Sequence, residues 1–347
     1  MKKIIAIVLI CFSTQLSKAQ ELETILLASD DASLLAENYL RPAMNGLMYS
    51  MNGGWYTTAK THKLFGFDIT INANASFVPD SDLIFDFVQS DYQFLTLPNG
   101  ETQLSTVMSE NDAETTVDVT IDNGNGTFRV ASFEMPGGIG DDVPLGAVPT
   151  PMIQGGIGIP FNTDLKIRFI PKINADEVEA SLYGFGLQHD IMQYFGPLDK
   201  LPLNVSILGA FTSMNVTYDI RDEDLGDNVA VSNGEAEFKM NTWTVQAIAS
   251  LDFPVITLYG SVGYNSGKTE ANMNGDYTLT YDVEDGGGNV IGTVDESISD
   301  PINLDFDADG FRATLGARLN LAWFKIFADY TLQEYNTLSA GVAFSFR

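Results

Sequence analysis

The chain contains few cysteines, few histidines and few basic residues. Among its 347 residues are one cysteine, Cys11, two histidines, and 18 lysines and arginines against 46 aspartates and glutamates, which gives a net charge of −28. One cysteine cannot form an internal disulfide, and a chain this acidic cannot neutralise a run of nucleic-acid phosphates. The acidity has two interpretations: solvated loops and lumen walls, or divalent cations bound between acidic loops and a surface glycolipid.

Long hydrophobic runs are also missing. The apolar stretch Ile4–Phe12 has about nine residues, far fewer than the roughly 20 that a membrane-spanning helix needs. Lys2 and Lys3 precede it, and Ser17–Ala19 offers small residues for cleavage, so residues 1–19 are predicted to be a signal peptide. A lipoprotein is disfavoured because Cys11 lies inside the apolar run. Any membrane crossing must therefore be made by strands.

The last residues alternate with a period of two. Within 337–346, one face has Leu338, Ala340, Val342, Phe344 and Phe346, and the other has the small or polar Ser339, Gly341, Ala343 and Ser345. One face of such a strand favours hydrocarbon and the other a wet or crowded interior. An aromatic residue at the end of the final strand also resembles the terminal signal by which Gram-negative outer-membrane barrels are recognised for assembly, except that Arg347 follows it.

The same alternation recurs along the chain and predicts an all-β fold. It is clearest in 65–77, and several segments run for ten residues or more, longer than the strands of soluble sandwiches. Short turns at 252–254 and 321–323 and long acidic loops at 221–235 and 282–301 predict up-and-down hairpins. We expect an antiparallel transmembrane β-barrel of about 10–14 strands. Residues 81–148 resist assignment, apart from a hairpin at Asp122–Gly126.

A different pattern precedes the barrel. Ser29 can cap a first short helix and Pro42 can start a second, which Gly53 and Gly54 would stop. The segment is interpreted as a helix pair on the periplasmic rim or as a plug in the lumen, and the predicted domains are 1–19, 20–60 and 61–347. In the plug interpretation an apolar face contacts hydrophobic cargo. The candidate ligand-binding residues are Met44, Leu47, Met48, Met51 and Trp55.

Several segments carry a resemblance to a known family. These are the Pro-Ala step in Arg41–Leu47, the run Gly53–Lys60, the strand start Thr163–Arg168 and the stretch Tyr183–Asp190. With them the chain resembles the long-chain fatty-acid transporter (FadL-like) superfamily and, more closely, a family of uncharacterised outer-membrane barrels. The resemblance implies a barrel in the outer membrane that transports hydrophobic compounds, typically with about fourteen strands.

Catalytic and metal-binding patterns are weak. Neither His62 nor His189 has a nucleophile at an identifiable spacing, so no enzyme activity, catalytic residue or cofactor is expected. Asp305–Gly310 mimics half of a calcium loop, but its twelfth position would be Gly316, so an acidic strand is preferred and no metal site is predicted. In the same segment the apolar residues occupy even positions through Ala308 and odd positions from Phe311. This change of parity predicts a β-bulge at Asp309–Gly310.

Together these patterns predict a barrel of the cell outer membrane that binds or passes small hydrophobic molecules. The alternative is a non-transporting surface barrel whose acidic loops bind a partner, divalent cations or glycolipid, and a barrel enzyme is a third interpretation. Expected partners are outer-membrane lipid and glycolipid, the barrel-assembly machinery and, if the barrel transports, a small hydrophobic ligand. Nucleic acid is excluded.

Overall fold

The computed structural model describes residues 29–110, 115–122, 128–135, 137–175, 178–196, 202–221, 229–284 and 290–346. In these residues one α-helix, α1, spans Ser29–Met51. Short 3₁₀ helices are Asp80–Asp82, Gln89–Asp91, Pro98–Gly100, Pro144–Gly146 and Met192–Tyr194. The strands are β1 Phe67–Phe77, β2 Ile84–Asp86, β3 Leu95–Thr96, β4 Gln103–Ser105, β5 Thr115–Asp122, β6 Phe128–Met135, β7 Ala147–Ile159, β8 Thr163–Ala175, β9 Val178–Asp190, β10 Leu203–Ile220, β11 Val229–Asp252, β12 Ile256–Glu284, β13 Val290–Ser299, β14 Ile302–Leu321, β15 Phe324–Leu332 and β16 Thr337–Phe346.

Ten of these strands close into an antiparallel ring, and an eleventh, β13, extends it. The order of pairing is β1, β7, β8, β9, β10, β11, β12, β14, β15, β16 and β1 again. Strand β13 pairs with β12 beyond the end of β14. Strands β13 and β14 therefore lie one after the other along the same edge of β12 and occupy a single strand position of the ring. The predicted antiparallel barrel is confirmed.

The ring has the reverse arrangement of a soluble protein, with apolar side chains on its outer face and polar side chains on its inner face. Along β1, Ile69 and Ile71 are about half exposed, whereas the inward residues Thr70, Asn72 and Asn74 are buried. Apolar side chains on the outside and polar ones inside are the pattern of a barrel whose outer surface contacts lipid.

Two aromatic belts border the apolar outer surface. One belt lies near the short turns and the other lies on the opposite side of the band. Along one strand pair, Phe161 and Phe169 are eight residues apart, or roughly 26 Å of strand. With the usual strand tilt this matches the apolar band of about 25 Å in outer-membrane barrels. The chain is therefore an outer-membrane β-barrel. The belts comprise Phe65, Phe161, Phe253, Trp323 and Phe346 at the short-turn end, and Phe169, Tyr183, Phe211, Trp243, Tyr264 and Phe311 at the other.

The first and last strands close the barrel, as the terminal alternation predicts. Phe346 faces Phe67 in the ladder, and their rings stack with centroids 5.1 Å apart. At the other end of the same pair, the hydroxyls of Ser76 and Thr337 are 2.7 Å apart. The ladder thus runs over the whole of β16, and a closed ring leaves no strand edge in the lipid.

Strands on the long-loop side extend past the membrane. A tilted strand needs about 9–11 residues to cross, but β11 has 24 and β12 has 29. The predicted loop 221–235 is therefore partly wrong, because Val229–Glu235 belongs to β11, and most of 290–301 forms β13. A strand surrounded by water no longer needs an apolar outer face, so its alternation fades. A small core of Ile220, Met273, Tyr277 and Leu279 supports this extension.

The segment between β1 and β7 forms a cap over the same end. Strands β5 and β6 pair from Thr115 with Met135 to Asp122 with Phe128, which supports the predicted hairpin, although its turn lies outside the described residues. Leu95 of β3 pairs with Val119 of β5, and β2 pairs with β4. The buried cap side chains join the core of α1. We define this cap as the described residues within 78–146.

The predicted bulge at Asp309–Gly310 is wrong. Strand β14 pairs with β12 without a register shift from Ile302 to Leu319. The parity change instead records the membrane border. Phe311 points outward into the lipid band, whereas Asp305 points outward into water above it. On the inner face at that level, Phe306 packs against the core of α1, so the apolar face switches without any change in register.

The prediction of two short helices is also wrong, because α1 continues through Pro42. Proline removes one backbone hydrogen bond and crowds the preceding turn, but packing on both sides holds this helix together. It ends at Met51 as predicted, and Gly54 has a left-handed φ of 68° that favours glycine. Over the described ranges, no helix combines the length and hydropathy that crossing a membrane requires. The predicted signal peptide lies outside those ranges.

Candidate functional site

Helix α1 and the segment after it lie inside the ring. From Pro42 to Tyr56 every residue is buried except Asn45, which is partly buried. The helix contacts β1, β7, β11, β12 and β14, which come from opposite sides of the barrel. A helix buried on all sides and surrounded by inward faces fills the lumen.

The start of α1 is tied to the cap. The Asp31 carboxylate accepts hydrogen bonds from the backbone N–H groups of Gln93, Phe94 and Leu95, at 2.7 to 3.1 Å. Further along, the Tyr39 hydroxyl donates to the carbonyl of Gly137 at 3.2 Å. The helix therefore begins at the cap and runs towards the short turns.

The end of α1 is held by two buried guanidinium groups. Arg168 donates to the carbonyls of Met51 and Gly53 at 2.8 and 2.6 Å, and Arg312 donates to the carbonyl of Asn52 at 2.8 Å. The last carbonyls of a helix lack helical partners and carry its negative dipole end. Cations at this position satisfy both requirements, so the two arginines fix the helix end in mid-lumen.

The chain then continues down the lumen to the opposite mouth. The Tyr56 hydroxyl donates to Ser261 at 2.5 Å, and the Ala59 N–H donates to the hydroxyl of Ser250 at 3.0 Å. Gln188 donates to the carbonyl of Thr58 at 2.9 Å. These contacts come from β9, β11 and β12, so the segment is anchored around the ring.

The candidate ligand residues are all buried, and two of them pack directly on the wall. A Cβ built on Gly267 would lie 2.9 Å from Met48, and one built on Gly186 would lie 3.0 Å from the ring of Trp55. Met44 and Met51 belong to the same core. Leu47 differs, because it lines an apolar cavity. A ligand role for Met44, Leu47, Met48, Met51 and Trp55 remains a prediction.

That cavity lies behind a gap in the barrel wall. Strands β7 and β8 pair only from Gln154 with Arg168 to Ile159 with Thr163. Beyond Gln154, β7 pairs with β1 alone and β8 with β9 alone, over residues that the structure describes. The half of this strand pair that is nearer the cap is therefore open. We call this opening the β7–β8 cleft.

Prolines explain why the cleft does not close. Pro149 and Pro151 lie on β7 at positions that pair with β1 alone, and Pro171 lies on β8. Proline has no N–H to donate and is confined to strand edges and bulges. A register shift between Ile170 and Ile173 marks such a bulge at Pro171. Two prolines at alternate positions in a strand were the sequence signal for this edge.

The cleft has an almost wholly apolar lining. Its cavity has a volume of about 70 Å³. One of the polar residues in the wall is Thr150, whose hydroxyl is already bonded to Ser50 at 2.6 Å. The lining comes from the helix and from β7 to β10: Leu47, Pro149, Thr150, Pro151, Ile170, Ile173, Ala180, Ser181, Leu182, Met214 and Val216.

The two histidines have defined partners near the short turns. His62 Nδ1 is 2.9 Å from a carboxylate oxygen of Asp164, which also accepts the His62 backbone N–H at 2.9 Å. His189 contacts the hydroxyls of Thr163 and Tyr194 at 2.8 and 3.1 Å. The two histidines therefore belong to separate clusters.

The acidic run 305–309 is part of β14, as the strand interpretation predicts. Asp305 pairs with Glu270 and Asp307 with Lys268 in a regular ladder. In the part of the chain that the structure describes, no group of three or more His, Cys, Asp or Glu is arranged to hold a metal ion. Binding of a partner, cations or glycolipid by acidic loops remains a prediction.

Comparison with known proteins gives a family without an assigned role. The family of unknown function DUF6588 matches residues 1–346. No curated protein matches the sequence. Similar solved structures include Ail, the attachment invasion locus protein of Yersinia pestis, at 9% identity and a TM-score of 0.27, covering 82% of this chain and all of that one. The outer-membrane protease OmpT from Escherichia coli has 6% identity and a TM-score of 0.29, covering 85% and 99%. A Pseudomonas aeruginosa FadL homologue has 12% identity and a TM-score of 0.20, covering 87% and 96%.

Proposed function

This chain belongs to the family DUF6588, and we propose that it binds small hydrophobic molecules and passes them between the outer membrane and its lumen through the β7–β8 cleft. The observation that carries the proposal is the apolar cavity behind the cleft. Its wall joins outward-lying Pro149 and Pro151 to Leu47 of α1, so one apolar surface extends from the lipid side to the lumen helix.

The position of the cleft suits uptake from the membrane. Phe169 of the aromatic belt lies next to Ile170 of the cavity lining, so the opening lies near the cap-side border of the hydrocarbon. Moving an apolar molecule from that leaflet into a polar lumen costs free energy, whereas moving it into an apolar cavity does not. Lateral entry at this level therefore avoids water.

The size of the cavity limits what it holds. Binding pockets for whole organic ligands usually measure about 300–1,000 Å³, whereas this cavity measures about 70 Å³. It accommodates one short apolar segment, such as the end of an alkyl chain, and a larger ligand requires α1 to move. Because α1 fills the lumen, movement of the helix would also control passage.

Photolabelling tests the proposal. Barrels in lipid nanodiscs are labelled with a short alkyl diazirine, and the modified residues are mapped by mass spectrometry. We expect label on the inward-facing cavity residues Leu47 and Met214, where bilayer lipid has no other access, and competition by unlabelled alkane. Outward residues such as Ile71 serve as an internal standard for labelling from the lipid.

Two matched variants sharpen this test. Ile173→Asp places a carboxylate in the cavity, whereas Asn174→Asp changes the next residue, which is exposed. A buried carboxylate is strongly unfavourable beside an apolar ligand. The first variant should reduce labelling of Met214 at least tenfold and the second should not. Label confined to outward residues in the unaltered protein would refute the proposal.

A further inference from the structure

A second, polar pocket lies inside the barrel at the short-turn mouth, opposite the cap. Its volume is about 200 Å³, and its wall is formed by the ends of six barrel strands and by residues 57–63. Arg318 donates to the Thr57 hydroxyl at 3.0 Å and Gln188 to the Thr58 carbonyl at 2.9 Å, so the inner floor is anchored to the ring. We call this space the mouth pocket.

The mouth pocket is basic in a very acidic chain. It is lined by five cationic side chains, although the whole chain has 18 lysines and arginines and a net charge of −28. Two carboxylates, Asp68 and Asp164, also line it. The cationic residues are Lys60, Lys63, Lys166, Arg318 and Lys325.

Three carboxylates lie in or beside the mouth pocket. Asp164 is bound by His62 through two hydrogen bonds, and Asp68 accepts one from Thr70 at 3.3 Å. Asp252 lies 3.7 Å from Arg318. Over the described residues, none of the four lysine ammonium groups of the pocket has a hydrogen bond or ion pair. Three carboxylates therefore oppose five cationic side chains, and the pocket keeps a net positive charge.

Lys166 is the residue that most favours an anion site in this pocket. The residue is only 6% exposed, its position on β8 faces inward, and it lines the mouth pocket. Asp164 lies close enough to interact with it electrostatically but forms no ion pair. The ammonium is not among the fully enclosed side-chain atoms that lack a partner, so it faces the open space of the pocket. A bound anion would give it a charge-assisted hydrogen bond.

We infer that the mouth pocket binds a phosphate or carboxylate group, with Lys166 at its centre. Lysine ammonium groups bind phosphate as point charges, and several converging lysines need no fixed orientation of the oxygens. The mouth lies level with the belt residues Phe65, Trp323 and Phe346, where lipid head groups are found. The anion can therefore come from a lipid head group or from solution. The inference is independent of the β7–β8 cleft.

Calorimetry with inorganic phosphate tests the soluble source. The full barrel in an uncharged detergent should bind phosphate, and Lys166→Met should weaken binding at least tenfold, whereas Lys166→Arg should retain most of it. Lys239→Met is the matched control, because Lys239 is exposed on β11 and paired with Glu237 outside the pocket. This control should bind as the unaltered protein does.

Nanodiscs test the lipid source. If the anion is a head group, the barrel should enrich phosphatidylglycerol over phosphatidylcholine in its bound lipid, and Lys166→Met should abolish the enrichment. Binding of phosphate alone or of the anionic lipid alone supports the inference and identifies the source. Binding of neither, or binding of either that Lys166→Met leaves unchanged, overturns it.

A stability measurement separates ligand binding from a structural role. Without added anion, Lys166→Met should unfold at the same temperature as the unaltered barrel or higher, because the variant removes one of five positive charges that repel each other in the pocket. Added phosphate should raise the unfolding temperature of the unaltered protein but not of the variant. A variant that is less stable in both conditions would show that Lys166 serves packing, and would overturn the inference.

Discussion

The Arg168 guanidinium lies over the ring of Trp55, 3.7 Å from the ring centroid, while its nitrogens bind the chain that precedes this tryptophan. Arg168 thus holds both the end of α1 and the start of the chain that follows it down the lumen. Cation–π contact and charged hydrogen bonds reinforce each other in this dry site. Gln154 completes the arrangement by accepting from Arg168 at 3.1 Å and donating to the Trp55 carbonyl at 3.3 Å.

Arg168→Met should release the end of α1. Three hydrogen bonds from a charged donor disappear, the buried Met51 carbonyl loses this donor, and the Gly53 carbonyl keeps only a 3.5 Å contact with Asn74, so we expect destabilisation of about 3 kcal/mol. Without these hydrogen bonds the helix should also be able to leave the lumen, which would appear as intermittent opening in single-channel recordings. Lys268→Met, at an exposed position on β12, is the control. Stable, silent channels from Arg168→Met would contradict the role given to this residue.

Gly267 and Met48 should behave as a coupled pair. A side chain at Gly267 would collide with Met48, so Gly267→Val alone should cost about 1–3 kcal/mol through overpacking. Met48→Ala alone leaves a cavity, but the double variant lets the valine fill the vacated space. A double-mutant cycle on unfolding in detergent should therefore give a favourable interaction energy above about 0.5 kcal/mol. Simple additivity would place Met48 away from this wall.

The cap-side membrane border should lie between Asp305 and Phe311. Both positions face outward on β14, six residues apart. Nitroxide labels on Phe311→Cys and Asp305→Cys should differ in which relaxation reagent reaches them. Oxygen, which concentrates in lipid, should enhance relaxation of the label at 311, and a water-soluble nickel complex should enhance relaxation of the label at 305. The predicted mature chain has no cysteine of its own, so each label is unique. Equal exposure of both labels to the nickel complex would remove the physical reason given for the parity change.

Replacing prolines should close the β7–β8 cleft. Pro149→Thr and Pro151→Val together restore two N–H donors to the free edge of β7. Strand β8 offers carbonyl partners there, so we expect slower amide exchange in both strands and loss of photolabel from Met214. The control is Ile157→Val in the part of β7 that is already paired with β8. Unchanged labelling after closure would show that ligands do not use this opening.

The fold could be predicted from the sequence because lipid imposes a simple rule on each strand. Alternation in 65–77 and 337–346 identifies β1 and β16, since an outward face in hydrocarbon tolerates no polar side chain. The rule lapses where the strand leaves the membrane, and for that reason the sequence did not predict the full length of β11 or the unbroken register of β14 at Asp309.

The candidate site was less predictable because it depends on tertiary contacts. The methionine stripe indicates an apolar face on α1, but only the structure shows that Met48 packs on Gly267 while Leu47 lines a cavity. Pro42 suggested a helix break, since no sequence signal tells whether surrounding packing can hold both halves. Arg168 and Lys166 lie two residues apart on one inward face, but Arg168 binds the end of α1 whereas Lys166 lines the mouth pocket. Only their surroundings in the folded chain distinguish them.

The most direct test of the proposed function is to locate an apolar ligand in the barrel. Crystals grown with a short alkane that carries a terminal bromine would show the bromine by its anomalous signal. We expect a peak in the cavity between Leu47 and Ile173, behind Pro151, and loss of that peak in Ile173→Asp. Bromine found only on the outer lipid-facing surface, with the cavity empty, would contradict it.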